Sequence, residues 1–543
     1  MKAPAIKERR DFRPMLVRGA LFALGAIPIA AMSMDGMNMR DAPATAEATV
    51  LGTVNFATSC KFAQAAEFNH GVALLHSFWL NAAEQAFAKI ATEDPQCAMA
   101  YWGIAMTDFN QVNGGPTKDG VLSAQRALAK AEAASEKDSR EAGYLAALHL
   151  FFDKFKEGDF NLRSAKYSAA MAVLARHYPK DLEAQVFYAL SLVNLEWPRS
   201  ATIANHKKAL SILVPLFDQH PDHPGVAHYI IHASDHPQLA IEGLKAARKY
   251  ALIAPAAPHA LHMPSHIFAR LGLWQEDIQS NLASKAAAEA NEATVGAENR
   301  LHAMQFLQYA YLQTGEYTKA RAMMDQARDV PASKVDPRYP TYYVGVQAYN
   351  PFLFAVESRD WSMAQGLAPI RDDTVTYLAH AIAAGHLRNA AAGRTATQSL
   401  EKVIRATPAL RGARNASLPN EVRAWARYAQ GDLHGAVALL RPVADRQEGV
   451  GKGEVELPAR EMLADMLFLS GQYSDALLEY QRSLKSDPNR FNGLLGAAES
   501  AEHVGDENLA AALYRQLLGN CPKAEGAAAV KLQHARAFLA SHS

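Results

Sequence analysis

An all-α solenoid of antiparallel helix pairs is the fold class this sequence predicts, and three observations predict it. The chain has 543 residues, more than one compact core supports. Alanine and leucine dominate, while runs rich in valine, isoleucine and threonine are scarce, a balance that favours helix over sheet. A pattern of small residue, large residue and helix breaker recurs with a period of about 34 residues.

The elements follow in chain order. Lys7, Arg9 and Arg10 precede an apolar stretch from Gly19 to Ala31, which reads as an export signal too short to span a membrane. Arg9, Arg10, Asp11 and Phe12 form a partial twin-arginine motif, interrupted by Pro14 and Arg18. Cleavage near Ala31 or Ser33 leaves a soluble periplasmic or secreted chain, with residues 34–59 as a linker. The first repeat signal is Ala83, Phe87, Ile90 and Pro95, with Tyr101 beginning the next unit. Gly272 and Trp274 repeat the turn, as do Gly315, Tyr317, Ala320 and Met324, then Gly431 and Ala436. Gly471, Tyr473, Ala476, Tyr480 and Pro488 give a complete unit, and Gly505, Ala510, Tyr514 and Leu517 another. In each, the small residue permits a close helix crossing, the large one fills the gap, and proline stops the helix.

This pattern resembles the tetratricopeptide repeat family over most of residues 60–520. The resemblance implies a right-handed superhelix whose first helices line the concave side. Residues 111–140 and 372–416 lack the turn glycine and spacing, and nine extra residues fall around 285–300. The expected organisation is therefore an array over 60–370 with a histidine-lined groove, an irregular helical connector over 371–416, and regular repeats over 417–543.

Lysine plus arginine balances aspartate plus glutamate at 55 each, so no net charge draws the chain to nucleic acid or anionic lipid. Cys60, Cys97 and Cys521 make no disulfide framework; a Cys60–Cys97 bridge and separate buried thiols both fit.

Twenty histidines are the unusual feature, and some keep the register of the repeat. His228 and His232 are four residues apart, as are His262 and His266, and the second pair follows the first by one full repeat period. Residues four apart share a helix face, and equivalent positions in stacked units lie on neighbouring helices. The two pairs are therefore expected to converge on one ion. Neutral imidazole suits zinc, copper, nickel or iron, and the expected cofactor is a divalent transition metal, zinc or copper. With Gly272 at position 15, the resemblance places both pairs facing the groove, together with His259 and His302 at position 2 and His236 and His76 at position 13. Pro264 is expected in the first turn of a helix beginning near Leu261, which leaves His259 in the lead-in. His236 precedes Pro237 and ends its helix, which still lets it approach the group, so His259 and His236 join the two pairs as metal candidates. The competing readings of the same pairs are a metal-free polar pocket for an anionic or peptide ligand and, third, a purely structural network.

The segments from His228 to His232, and from His262 through Met263, Pro264 and Ser265 to Arg270, look like a group of bacterial exported repeat proteins with no assigned activity. Residues Cys97 to Gly103 and Pro488 to Arg490 share that likeness. Trp102, Met106, Asn110 and Asn194 are further groove candidates, as are Gln305 and Tyr309. Arg270 is a candidate for pairing with a carboxylate or phosphate. Met32, Met34, Met37 and Met39 form a soft-ligand cluster that straddles the expected cleavage site. The sequence has no Gly-rich phosphate loop, nucleophile elbow or HExxH motif, which weighs against an enzyme. Three functions compete: a binding scaffold with a histidine-lined metal or ligand site, a plain adaptor holding a protein or peptide, and a metal-dependent hydrolase or oxidoreductase with Asp235 or Glu196 as acid/base.

Overall fold

In the computed structural model of the chain, the described residues are 50–542, apart from 113–114, 137–138, 157–158, 197–201, 337–338, 340–341, 371–372, 408–409 and 411–416. The expected export signal and the methionine cluster lie outside them. Among the described residues there is no strand, and no helix is long and apolar enough to cross a membrane. The helices alternate as antiparallel pairs from Ala65–His76 with Leu80–Glu93 to Phe491–His503 with Glu507–Asn520, and Gly526–Ser541 covers the end. This is a tetratricopeptide-like solenoid, and residues 50–543 form one compact unit.

The small–large rule builds each pair. Phe87 is fully buried, and its ring occupies the space left by Gly71 and Gly103: a Cβ on Gly103 would come within 2.4 Å of it. Tyr480 fills the same gap beside Gly496. At the turns, the residue after the helix end donates its N–H to a carbonyl five residues back. Examples are Leu273 to Phe268 (2.8 Å), Glu316 to Tyr311 (2.9 Å) and Gln472 to Leu467 (3.0 Å). This bond requires a left-handed residue just before it. Gly272, Gly315, Gly431, Gly471 and Gly505 supply it with φ between 65° and 84°.

Both irregular stretches contain helices among their described residues. Residues 111–140 contain Lys118–Ala134, which pairs with Ala98–Phe109, and 372–416 contain Val375–His386 and Ala390–Ala406. Arg388 takes the left-handed turn position there, with φ 51°, which explains why the glycine signal is missing. The extra residues near 290 form a short helix, Glu292–Val295, before Ala297–Gln313. One expectation needs correcting. The helix carrying His262 begins at Pro258, not near Leu261, and is broken at Met263, so that Pro264 starts a second segment, Pro264–Leu271. His259 is therefore helical. Proline at the first position of each segment loses no helical hydrogen bond.

The solenoid winds tightly enough for distant units to touch. The Trp274 indole donates to the Asn489 carbonyl (2.8 Å), and the Glu525 amide to the Gly315 carbonyl (3.1 Å). Arg490, almost wholly buried, donates to Glu357 and Glu461 (both 2.7 Å) and to the Tyr309 hydroxyl. The chain also fills its own hollow: the segment between Val450 and Ala459 brings Glu454 to Arg270 (3.1 Å) and the Val455 carbonyl to Tyr349 (3.2 Å). At the other end, Thr53 donates to the Asp222 carbonyl (2.9 Å). Cys60 and Cys97 form a disulfide, their Cα atoms 4.5 Å apart, that ties this lead-in to the second helix pair. Closing a loop of this length restrains the unfolded chain by about 4 kcal/mol.

Candidate metal centre

Two groups of three imidazoles lie side by side in the hollow. His228 and His232 on Pro224–Ser234 meet His259 from the next unit. His262 and His266 meet His302 on Ala297–Gln313, from the unit after that. Within each group the ligand-capable nitrogens lie within 4.8 Å of one another. The four imidazoles expected on one ion are thus divided between two triads, and each pair is completed by a position-2 histidine of the following unit.

In the first triad, Nε2 of His228, His232 and His259 are all buried without a hydrogen-bond partner among the described residues. The His228 Nδ1–H donates to the His76 backbone carbonyl (2.6 Å), which leaves Nε2 as a bare lone pair. Gly225 permits this approach, since a Cβ there would stand 2.4 Å from the His76 ring. Burial, followed by the neighbouring imidazoles, holds His228 and His259 well below the usual histidine range, and His232 at about 3. All three are neutral at physiological pH, the protonation state that binds metal.

The second triad has the same construction. The His262 Nδ1–H donates to Asn281 Oδ1 (2.6 Å), whose orientation is set because Asn281 Nδ2 donates to the Asp277 carbonyl and carboxyl oxygens. The His266 Nδ1–H donates to Asp235 (3.0 Å). Both Nε2 atoms then face each other 3.0 Å apart, and His302 Nδ1 is buried without a partner among the described residues. Two bare lone pairs at that distance repel unless a proton or a metal ion lies between them. Burial and the other imidazoles depress His262, and hold His302 at about 3. At His266 burial opposes the charge, but Glu454 and Asp235 override it and raise the ring to about 10. Arg270 neutralises both carboxylates, at 2.9 Å from Asp235 and 3.1 Å from Glu454.

One phenyl ring roofs each triad. Phe78 packs on His228, His232 and His259 with ring centroids 4.5–5.6 Å apart, and Phe306 on His262, His266 and His302 at 4.7–5.2 Å. Phe78 occupies the turn position that glycine takes in five other units, and has φ 53°. A left-handed non-glycine residue costs about 1–2 kcal/mol, so the position keeps its ring against a backbone penalty.

A third cluster differs in kind. His76 and His223 both bind Glu183 through Nε2 (2.8 and 2.9 Å). His76 Nδ1 reaches the Tyr229 hydroxyl (2.9 Å), and His223 Nδ1 accepts from the Val226 amide (3.2 Å). Every ring nitrogen is engaged, so the cluster supports His228 from behind and has no lone pair for an ion.

The remaining candidates lie elsewhere. His236 is in neither triad; its Nδ1 accepts from the Gln238 amide (3.2 Å). Trp102 packs edge-on against Phe56, Tyr144 and Phe187. Asn194 bridges the Val112 amide and the Ser164 hydroxyl, and the Tyr309 hydroxyl binds Arg490. Gln305 lies one turn beyond His302 on the same helix. Groove positions therefore serve the chain's own packing except where the triads lie. Asn281, Glu454, Phe78 and Phe306 went unnoticed in the sequence. Asn281 could have been flagged, since it sits on the helix paired with the one bearing His262; Glu454, 184 residues from Arg270, carries no local signal.

No protein-family model matches the chain, and no curated protein shows significant similarity. Among solved structures the chain is similar to the APC/C hetero-tetramer Cut9–Hcn1, at 12% identity and TM-score 0.37, over 88% of this chain and 77% of that one. It is also similar to human IFIT1 in complex with m7Gppp-AAAA, at 11% identity and TM-score 0.34, over 82% and 90%. The TPR domain of P58(IPK) aligns at 12% identity and TM-score 0.19, over 89% and 99%. These likenesses are distant, and the repeat architecture rests on the chain's own helix pairs.

Proposed function

We propose that this is an exported helical-repeat protein whose interior holds first-row transition-metal ions on two three-histidine sites. One observation carries the reading: in the first triad three buried imidazole nitrogens face one another without a partner among the described residues, and in the second the facing nitrogens of His262 and His266 share a proton that an ion would replace, while hydrogen bonds from behind orient His228, His262 and His266. Metal-binding histidines are oriented in this way by an acceptor on the other ring nitrogen. A structural histidine network satisfies its nitrogens with donors and acceptors, as the Glu183 cluster does. A plain protein- or peptide-binding adaptor is the second reading, which the repeat scaffold also suits; next to the triads, Glu454 and the Val455 carbonyl of the chain itself already hold Arg270 and Tyr349. Export is supported by the basic–apolar amino-terminal stretch and by the Cys60–Cys97 bridge, which suits an oxidising compartment.

Elemental analysis of the purified full-length chain tests the reading. Bound first-row metal should fall in His232→Ala and in His262→Ala, with far-ultraviolet circular dichroism unchanged. Metal content equal to wild type in both variants would refute it.

A further inference from the structure

The two triads are copies of one construction, one repeat apart. His228 corresponds to His262 and His232 to His266, each displaced by a single repeat period; His259 corresponds to His302 across the nine-residue insertion. Phe78 and Phe306 play the same part over each. The copies are not insulated from each other. His259 of the first and His262 of the second have ring centroids 6.1 Å apart.

Three features bear on what such a pair holds. First, each triad supplies three nitrogens, one short of a closed tetrahedral site, so an ion on either keeps a position open. Second, the six donors are all imidazole. The nearest carboxylates, Asp235 and Glu454, approach His266 at Nδ1 and not at the nitrogen facing its partners. An all-imidazole set with phenyl walls suits copper, which also heads the affinity order of divalent first-row ions for nitrogen ligands. Third, a cavity of about 20 Å³ reaches the first triad at His259, between Phe78, Asn81, Pro258 and Thr294, with room for one water-sized molecule.

We infer that the two triads together form one binuclear copper centre, in which two ions a repeat apart share a single small bridging ligand of the hydroxide class. The inference rests on the metal-binding reading above and adds to it that the sites act as a pair. Functional two-metal sites hold their ions about 3.5–4 Å apart, close enough for one oxygen atom to bridge. The open position of each triad provides the place for that oxygen, at the side where His259 and His262 adjoin.

The test is titration of the full-length chain with Cu(II), followed by metal analysis and electron paramagnetic resonance on the same samples. Copper should saturate at two ions per chain while only a small fraction of the spins is visible, because a hydroxide bridge couples them antiferromagnetically. In His302→Ala, which disables the second triad, binding should fall to one ion whose full mononuclear signal appears; His228→Ala should do the same from the other side. Two ions per chain with all spins visible would overturn the pairing and leave two separate metal sites. One ion per wild-type chain would overturn it as well. Copper binding that none of the histidine substitutions alters would overturn the metal-binding reading itself.

Discussion

Asn281 offers the sharpest test of how the second triad is oriented. Its Oδ1 accepts the His262 Nδ1–H at 2.6 Å, and its own amide is locked by Asp277. Burial pushes the Asp277 carboxyl well above the usual carboxylate range, and its contacts with Asn281 set the imidazole tautomer. Asn281→Leu keeps much of the volume and removes the acceptor. The nearest substitute among the described residues is the Ser265 hydroxyl, at 3.4 Å from His262 Nδ1. Loss of such a partner typically weakens metal binding about 10–100-fold, or about 1.4–2.7 kcal/mol. The metal-free protein should lose about 1–3 kcal/mol besides, for the donor left without a good acceptor. Competition against a chromophoric chelator measures the first quantity. It should be run in a His232→Ala background, which leaves the second triad, and in a His302→Ala background, which leaves the first. Asn281→Leu should weaken binding in the former and leave the latter unchanged. Equal weakening in both, or no change in either, refutes the claim that Asn281 orients His262.

Two further predictions concern stability. Glu421 is buried, and desolvation followed by repulsion from Glu456 raises its carboxyl from 4.5 to about 7. The folded state therefore binds the extra proton, and the associated stability, complete below pH 4.5, is lost as the pH rises through 7. Glu421→Gln should stabilise the chain by about 3 kcal/mol at pH 8.5 and by much less at pH 5, read from urea midpoints at the two pH values; a pH-independent shift would show that Glu421 does not titrate. Arg490→Met should destabilise by about 3–5 kcal/mol, because it strands Glu357 and Glu461 as buried unpaired carboxylates. Adding Glu357→Gln and Glu461→Gln should recover most of that loss in the same urea assay.

The repeat was legible because its chemistry is local. Ala83 with Phe87 and Ala476 with Tyr480 pack within one unit, and a turn glycine reports its own φ. Where another residue takes the left-handed turn, as at Phe78, Arg359 and Arg388, the glycine signal vanishes although the same bond forms. That is why residues 372–416 read as irregular. Register brought out the two histidine pairs as neighbours, and the family resemblance placed His259 and His302 at the same position of their units, although the inserted Glu292–Val295 helix sets His302 beyond the place that one repeat period would give. The division into two triads was not legible at all. It depends on which unit donates the third imidazole, and so on how far each unit is rotated from the last. Nor was the filling of the groove: Glu454 and the Val455 carbonyl reach the centre only because the superhelix is tight.

That tightness gives the triads a mechanical consequence. In each, two nitrogens come from one unit and the third from the next, so neither site exists within a single repeat. A solenoid is stabilised by its nearest-neighbour interfaces, and an ion bridging an interface adds its binding free energy to that interface alone. The two triads span consecutive interfaces in the middle of the array, and both are walled by residues from elsewhere in the chain: Phe78 from the first unit, and Glu454, which reaches His266 from the segment before Ala459. Ions held there would tie the centre of the superhelix to both of its arms. A repeat fold achieves this with little new sequence, since translating one helix pair by a single period copies the ligand geometry with it.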